Sequence, residues 1–303
     1  MAQTSYNIKD VYKAIYTIDD YFWENTNNQL IVNPKYKDLI QKYCHYGNTS
    51  GKGNCHNDYL KMASSGVIHL LESLKKYNLE DDKLAQYAIL WLSYKLNIYS
   101  KITAKNLNDF YNSYIEKNEY YNKKINDDDN SMTYKDIINK KQNLMNIKEL
   151  SKFDLPFYIL FDLYSKLHGN VLNCTDYSGY VNVFVSRFKE LNNDPKNIEN
   201  SSYSQILSTL SNDYKNLKNI YDMDKVKCVY FPSLPALTPK KISVEKSVQP
   251  TTLSHESTSS TLSILNTVIP GLSTFSVIPV FLGIAYKTIY KKKIKKNKEE
   301  NET

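Results

Sequence analysis

Residues 262–286 form an apolar stretch, LSILNTVIPGLSTFSVIPVFLGIAY, in which Tyr286 is the one ionisable side chain. As an α-helix these 25 residues would be about 37 Å long, which exceeds the roughly 30 Å hydrocarbon core of a bilayer. A buried helix of this kind would need apolar partners on all sides, and only 17 residues follow it. The stretch from Leu262 to Tyr286 therefore predicts a single C-terminal transmembrane helix.

Two prolines and several small residues lie within this predicted helix. Pro270 and Pro279 each remove one helical hydrogen bond, so we expect a bend rather than a break. Gly283 could let a second helix approach closely, but the stretch contains no GxxxG pattern. The sequence thus gives little indication of dimerisation in the membrane.

The flanks of the stretch predict its orientation. Residues 242–261 before it hold one lysine, Lys246, whereas seven lysines follow it: Lys287, Lys291, Lys292, Lys293, Lys295, Lys296 and Lys298. Because a lysine-rich flank normally stays in the cytosol, residues 287–303 are predicted to be a cytoplasmic tail that attracts membrane lipid headgroups. The N-terminal part would then face a lumen or the outside. A tail-anchored protein with a cytosolic N-terminal part has the same layout, and that alternative stays open.

Residues 232–261 contain four Pro, seven Ser and five Thr and no aromatic residue. Such a composition cannot bury enough apolar surface to order itself, so we predict a flexible stalk. The remaining residues, 1–231, are long enough for one domain with a substantial core.

Apolar residues recur at helical spacing along residues 1–231, which predicts an all-α fold, a helical-bundle ectodomain. The predicted helices cover residues 7–22, 34–43, 57–77, 82–99, 106–121, 134–145, 157–168, 177–192 and 204–221. The helix at 82–99 is apolar on more than one face, so we expect it to lie centrally with Trp91 as a core residue.

Cys44 and Cys55 bracket a loop rich in Gly and Asn, CHYGNTSGKGNC. The glycines do not have the spacing of a phosphate-binding loop. The adjacent pairs Cys44-His45 and Cys55-His56 match no standard zinc pattern. We therefore favour a disulfide closing the loop, which fits an oxidising compartment.

Cys174 lies in a predicted polar loop and Cys228 after the last helix, and pairing them would fasten the end of the domain. Four cysteines allow three connectivities, and the sequence alone does not choose among them.

The net charge and the absence of catalytic motifs argue against two classes of function, nucleic-acid binding and catalysis. The net charge is +7, but the tail contributes seven lysines and three glutamates, or +4, which leaves 32 basic and 29 acidic residues, or +3, in residues 1–286. That balance predicts no nucleic-acid partner. The five histidines are isolated and no nucleophile motif is present. We predict no catalytic residue, no cofactor and no metal, and hence no enzyme.

Five stretches resemble one known family: 87–97, 107–116, 150–164, 203–219 and, above all, 269–287, IPGLSTFSVIPVFLGIAYK. They are similar to the Plasmodium interspersed repeat (PIR) proteins, which include the yir, cir and vir variants. The resemblance implies an exported variant surface antigen of a malaria parasite, at or in transit to the surface of the infected erythrocyte. It also implies a helical ectodomain, one C-terminal span, a role in immune interaction and no enzymatic activity.

The chain departs from the resemblance in three respects. Where relatives carry further cysteines it has Gly66, Phe161 and Tyr177, so the disulfide set looks reduced to two. Its basic tail is shorter than in relatives, and no arginine-led export motif is present, since Arg187 is followed by Phe-Lys-Glu. A host receptor or immune molecule is the expected partner, although no sequence feature identifies it. The alternative function is an internal membrane tether or structural protein of the parasite export system, without an extracellular ligand.

Overall fold

The computed structural model describes residues 6–25, 27–36, 38–46, 53–99, 107–127, 129–147, 149–167, 174–223 and 231–241. The predicted membrane helix, its lysine tail and Cys228 lie outside the described residues, as do residues 242–261 of the predicted stalk. No described helix is both long enough and apolar enough to cross a bilayer.

The described part of the chain is mostly helical, as predicted. The α-helices are α1 (Ile8–Asp19), α2 (Tyr59–Lys75), α3 (Asp81–Ile98), α4 (Leu107–Phe110), α5 (Tyr134–Asn139), α6 (Gln142–Met145), α7 (Asp154–Leu167), α8 (Cys174–Asn193) and α9 (Ser202–Met223). Short 3₁₀ helices cover Pro34–Tyr36, Gln41–Tyr43, Glu119–Asn122, Ile125–Asp127 and Leu150–Phe153, and a π-helical turn covers Tyr111–Ile115. Strands β1 (Phe22–Glu24) and β2 (Leu30–Val32) form an antiparallel pair.

Helix α3 lies at the centre of the domain, where it packs on α2, α5 and α7. Every residue from Leu84 to Leu96 is buried, including the polar ones, so the helix has no solvent-facing stripe. Trp91 is fully buried, as predicted for a core residue. Because α3 must find partners on all sides, it determines where the surrounding helices lie.

Helix α1 is shorter than predicted, and the predicted helical residue Phe22 begins strand β1 instead. Asn7 caps its start by accepting the amide hydrogen of Lys9. At its end, the buried ammonium group of Lys95 donates to the carbonyl oxygens of Asp19 and Phe22, 3.1 and 2.7 Å away, and to the Asp19 carboxylate. A cation that binds the last carbonyls of a helix stabilises its termination there.

Four other predicted boundaries were wrong. The predicted helix at 34–43 consists of two 3₁₀ turns, and the one at 106–121 is α4 followed by the π-helical turn. The predicted helix at 134–145 is divided into α5 and α6, because Lys141 leaves the helical region with φ −124° and ψ 26°. Cys174 is the first residue of α8 rather than part of a loop.

Helices distant in sequence meet at Asp213 on α9. Its carboxylate accepts hydrogen bonds from the hydroxyls of Tyr12 and Tyr87 at 2.7 and 2.8 Å, and its carbonyl accepts from Tyr164 at 2.7 Å. These tyrosines belong to α1, α3 and α7. Burial raises the pKa of Asp213 to about 6, against the opposing effect of the two hydroxyls. A buried carboxylate is tolerated here because hydroxyl donors satisfy it.

Residues 231–241 lie beside α8 and α9. We call this segment the strap. Its Lys240 pairs with Ile198 as an isolated parallel bridge in the connection between the two helices. The prediction of a flexible stalk from Pro232 onward is therefore corrected for residues 232–241, since helical side chains and the connecting loop supply hydrogen-bond partners that composition does not reveal.

Candidate functional site

The predicted disulfide between Cys44 and Cys55 is present, with the two Cα atoms 5.3 Å apart. Both cysteines are fully buried against α2. The hydroxyl of Ser65 donates to the Cys44 sulfur at 2.9 Å, and the amide of Cys55 donates to the Gln41 side chain at 2.7 Å. Because both sulfurs are bonded to each other, neither is available as a zinc ligand.

Asn118 holds the chain on the other side of the disulfide. Its side-chain amide donates to the Tyr43 carbonyl at 2.8 Å, and its side-chain oxygen accepts from the His45 amide at 3.2 Å. Tyr46 and Asn118 also form an antiparallel bridge. The start of the disulfide loop is thus fixed between α2 and the segment that follows the π-helical turn. No sequence pattern singled out Asn118, because its partners lie more than 70 residues earlier in the chain.

Near the disulfide loop, the carboxylate of Glu72 on α2 accepts hydrogen bonds from two tyrosine hydroxyls. Tyr43 donates to one carboxylate oxygen at 2.6 Å and Tyr134 to the other at 2.5 Å. Burial, followed by the hydrogen bond to the Glu72 carboxylate, raises the pKa of both tyrosines. Both phenols therefore remain protonated donors, and the pair joins the disulfide loop to α2 and α5.

His69 lies one helical turn before Glu72, and burial lowers its pKa to about 4 despite the opposing charge of Glu72. Its Nε2 is 3.3 Å from the Ser73 hydroxyl, and its Nδ1 is 3.5 Å from the Tyr43 hydroxyl. A serine and a histidine at this distance resemble a nucleophile and its general base. An imidazole with so low a pKa is a weak base at neutral pH, so the arrangement favours a structural role.

Aromatic rings and lysines surround Tyr120 beside the disulfide. The Tyr120 ring packs edge-on against Tyr43 and His45, with ring centroids 5.0 and 5.1 Å apart. Lys123 lies 4.3 Å from the Tyr120 centroid and Lys42 lies 4.5 Å from that of Tyr43. We call Lys42, His45, Tyr120 and Lys123 the disulfide-loop surface. Partly exposed aromatic rings anchor many protein interfaces, so this surface is the candidate for contact with a partner.

Two other features are poorer candidates for a binding site. A surface groove of about 430 Å³ is lined by Lys75, Asp81, Asp82, Lys140 and neighbouring residues. These four charges are already paired, since Lys75 lies 2.8 Å and Lys140 3.8 Å from Asp81, and Asp82 lies 2.8 Å from Lys141. Within the described ranges, no three His, Cys, Asp or Glu residues are grouped as a metal site.

The other predicted site residues are not tested by the structure. Cys228 and the membrane-segment residues Leu262, Pro270, Pro279, Gly283 and Tyr286 lie outside the described residues, and so do all seven tail lysines. The backbone of Cys174 is described as the start of α8. Its pairing with Cys228 stays a prediction.

Comparison with known proteins identifies a family. The family described as Plasmodium variant antigen protein Cir/Yir/Bir matches residues 12–287. No curated protein matches significantly. A solved structure of a Plasmodium PIR protein ectodomain is similar with 32% sequence identity and a TM-score of 0.51, over 76% of this chain and 99% of that chain. The predicted resemblance to PIR proteins is thus confirmed, and the chain belongs to the Cir/Yir/Bir family of Plasmodium variant antigen proteins.

Proposed function

We propose that this chain is a single-pass membrane protein that presents its helical domain outside the parasite, at the surface of the infected erythrocyte, to a host receptor or immune molecule. The observation that carries this proposal is the buried Cys44–Cys55 disulfide. Structural disulfides form and persist in oxidising compartments and are rare in the cytosol.

Three further features support the same topology. The apolar stretch 262–286 is long enough to span a bilayer, and the lysines that follow it favour a cytoplasmic tail. The family match extends to residue 287 and so includes that stretch. The similar solved structure is that of an ectodomain, and 76% of this chain covers nearly all of it.

The cysteines distinguish this proposal from an internal tether whose domain faces the cytosol. Thiols are tagged with a mass-shifting reagent in freshly lysed infected cells, with and without prior reduction. We expect tagging of all four cysteines only after reduction, because both predicted disulfides are formed. Four thiols that react without reduction would favour the cytosolic tether.

Carbonate washing of the same membranes tests the span, since a single-pass protein stays in the pellet.

A further inference from the structure

Lysines lie over tyrosine rings at the start of the disulfide loop. Two of these lysines belong to the disulfide-loop surface, and the third, on α2, has its carbonyl oxygen 3.8 Å from the Cys44 sulfur. The distances from ammonium group to ring centroid are 4.5 Å for Lys42 and Tyr43, 4.3 Å for Lys123 and Tyr120, and 5.4 Å for Lys61 and Tyr46. A tyrosine ring attracts an ammonium group without neutralising its charge. These cations are therefore positioned but remain charged.

The three tyrosines are grouped by the buried side chain of Asn118. This side chain donates to the Tyr43 carbonyl at 2.8 Å and accepts from the Tyr120 amide at 3.1 Å, and Tyr46 forms a backbone bridge with Asn118. The disulfide and the hydrogen bonds to Glu72 hold the same segment from the other side. A surface fixed in this way loses little conformational entropy when a partner binds.

The carboxylates near this surface have other partners. Glu72 lies 3.9 Å from the Lys42 ammonium group, but it already accepts two tyrosine hydroxyls, and its side chain is 18% exposed against 61% for Lys42. Asp58 caps α2, where its carboxylate accepts the amides of Leu60 and Lys61. Both carboxylates are thus satisfied within the domain, whereas most of the Lys42 side chain faces solvent.

The other two lysines have no acidic partner in the part of the chain that the structure describes. No carboxylate there lies within 4 Å of the ammonium groups of Lys61 and Lys123. Glu119 is an exposed carboxylate next to Tyr120 in the chain, and the exposed Lys124 follows Lys123. Counting both, positive charge exceeds negative charge around these rings.

We propose that the disulfide-loop surface, with Lys61 beside it, binds the acidic face of a host protein, an inference that rests on the proposed function. Carboxylates on the partner would complement the lysines and speed association. Apolar atoms of the partner would cover the partly exposed rings of Tyr120 and His45, as at the centre of protein interfaces. A protein face supplies both groups. Because Lys123 lies over one face of the Tyr120 ring, a sugar of a sulfated glycan cannot stack on that face.

Binding of defined anionic probes to the full chain in vesicles tests this proposal. The probes are fluorescent poly(Glu,Tyr), an acidic polypeptide with aromatic side chains, and dextran sulfate, a sulfated glycan. The test variant is Lys42→Ala/Lys123→Ala. The control is Lys189→Ala/Lys215→Ala, which removes the same charge from exposed positions on α8 and α9. Every chain carries the same lysine tail, so the attraction of the tail for the probes cancels in the comparison.

At about 50 mM salt, where screening is weak, we expect the test variant to bind poly(Glu,Tyr) about three- to tenfold more weakly than the parent chain. The control should bind it as the parent chain does. Dextran sulfate should respond equally to both pairs of substitutions, because it senses net charge. Equal weakening of poly(Glu,Tyr) binding in the two variants would overturn the proposal. A loss specific to the test variant with dextran sulfate alone would overturn it in favour of a glycan partner.

Lys42→Arg/Lys123→Arg separates charge from folding, since it keeps both cations at the rings. We expect this variant to bind poly(Glu,Tyr) within twofold of the parent chain, and unfolding in denaturant checks that each variant is folded. Binding as weak as that of the alanine variant would show that the charges are not what the probe recognises. These failures with the purified chain would overturn this inference alone. A domain that an impermeant protease cannot reach on intact cells would instead overturn the proposed function.

Discussion

Gly66 of α2 lies where that helix meets the ring of Trp91. A Cβ added at Gly66 would lie 2.6 Å from Cη2 and 3.1 Å from Cζ3 of the indole. Trp91 is fully buried and has no room to move away without displacing its neighbours. The absence of a side chain at Gly66 is therefore a packing requirement of the central helix pair.

We predict that Gly66→Ala lowers the free energy of unfolding by about 1–3 kcal/mol, because overpacking outweighs the better helix propensity of alanine. Gly179→Ala in α8 is the matched control. Apart from its chain neighbours and the backbone of its own helix, no described atom lies within 4 Å of a Cβ at Gly179, so Gly179→Ala should gain about 0.5–1 kcal/mol. Denaturant unfolding measures both changes. Equal effects of the two substitutions would mean that the Trp91 contact does not limit the site.

His69 predicts a pH dependence. Its folded-state pKa of about 4 lies below the ordinary value of 6.5, so between these pH values the unfolded chain binds a proton that the folded chain does not. The contribution of His69 to the free energy of unfolding therefore falls as the pH falls from about 6.5 to 4. Asp213 acts in the opposite direction, since its folded-state pKa is raised from 3.8 to about 6. The pH profile of the parent chain combines both contributions.

The comparison with His69→Gln isolates the histidine. On acidification from pH 7 to pH 4.5, we expect the variant to lose about 1–2 kcal/mol less free energy of unfolding than the parent chain. Chemical denaturation at each pH measures the difference. Parallel profiles for the two proteins would show that His69 takes up its proton equally in the folded and unfolded states.

At the scale of elements, the disulfide loop depends on one covalent bond and on contacts from two separate segments. Cys44 and Cys55 are 11 residues apart, and closing a loop of that size stabilises the folded chain by about 3 kcal/mol in the chain-entropy model. The double variant Cys44→Ala/Cys55→Ala should lose about that amount. Ser65→Ala, which leaves the bond intact, should lose about 1 kcal/mol. Equal stability of the double variant and the parent chain would contradict the role given to this bond.

The packing of α8 on α9 bears on the second predicted disulfide. Contacts of Leu191 with Tyr203 and of Phe184 with Tyr214 place the start of α8 beside the end of α9. Cys174 is the first residue of α8, and Cys228 follows the end of α9 by five residues in sequence. We predict a Cys174–Cys228 bond, to be sought by non-reducing peptide mapping. A peptide that carries either cysteine as a free thiol would exclude it.

The sequence predicted the bounds of helices best where a local apolar periodicity determines the helix. Helices α2, α3, α8 and α9 were expected within a few residues of their observed bounds, because each keeps an apolar pattern over four or more turns. The β1–β2 hairpin and the break at Lys141 were missed. Three-residue strands carry almost no pattern, and the break interrupts a sequence that remains compatible with a helix.

The candidate site was less predictable, because its geometry depends on long-range contacts. The disulfide followed from cysteines close in sequence, but Glu72, Tyr134 and Asn118 meet the loop only after folding. The sequence did not reveal the strap either, because the Pro, Ser and Thr content of residues 232–261 indicated a flexible segment, whereas Asn192 and Tyr214 supply the hydrogen-bond partners of the strap. Composition predicts whether a segment can form its own core, not whether another element can hold it.

In the proposed single-pass topology, the disulfide-containing helical domain lies outside the infected erythrocyte and residues 287–303 lie in its cytosol. Intact infected erythrocytes are treated with an impermeant protease, and antibodies to the domain and to residues 287–303 probe the products. The proposed topology predicts loss of the domain signal and a protected fragment that carries the tail. A domain that stays intact while other surface proteins are cleaved, and is lost only after permeabilisation, would contradict it.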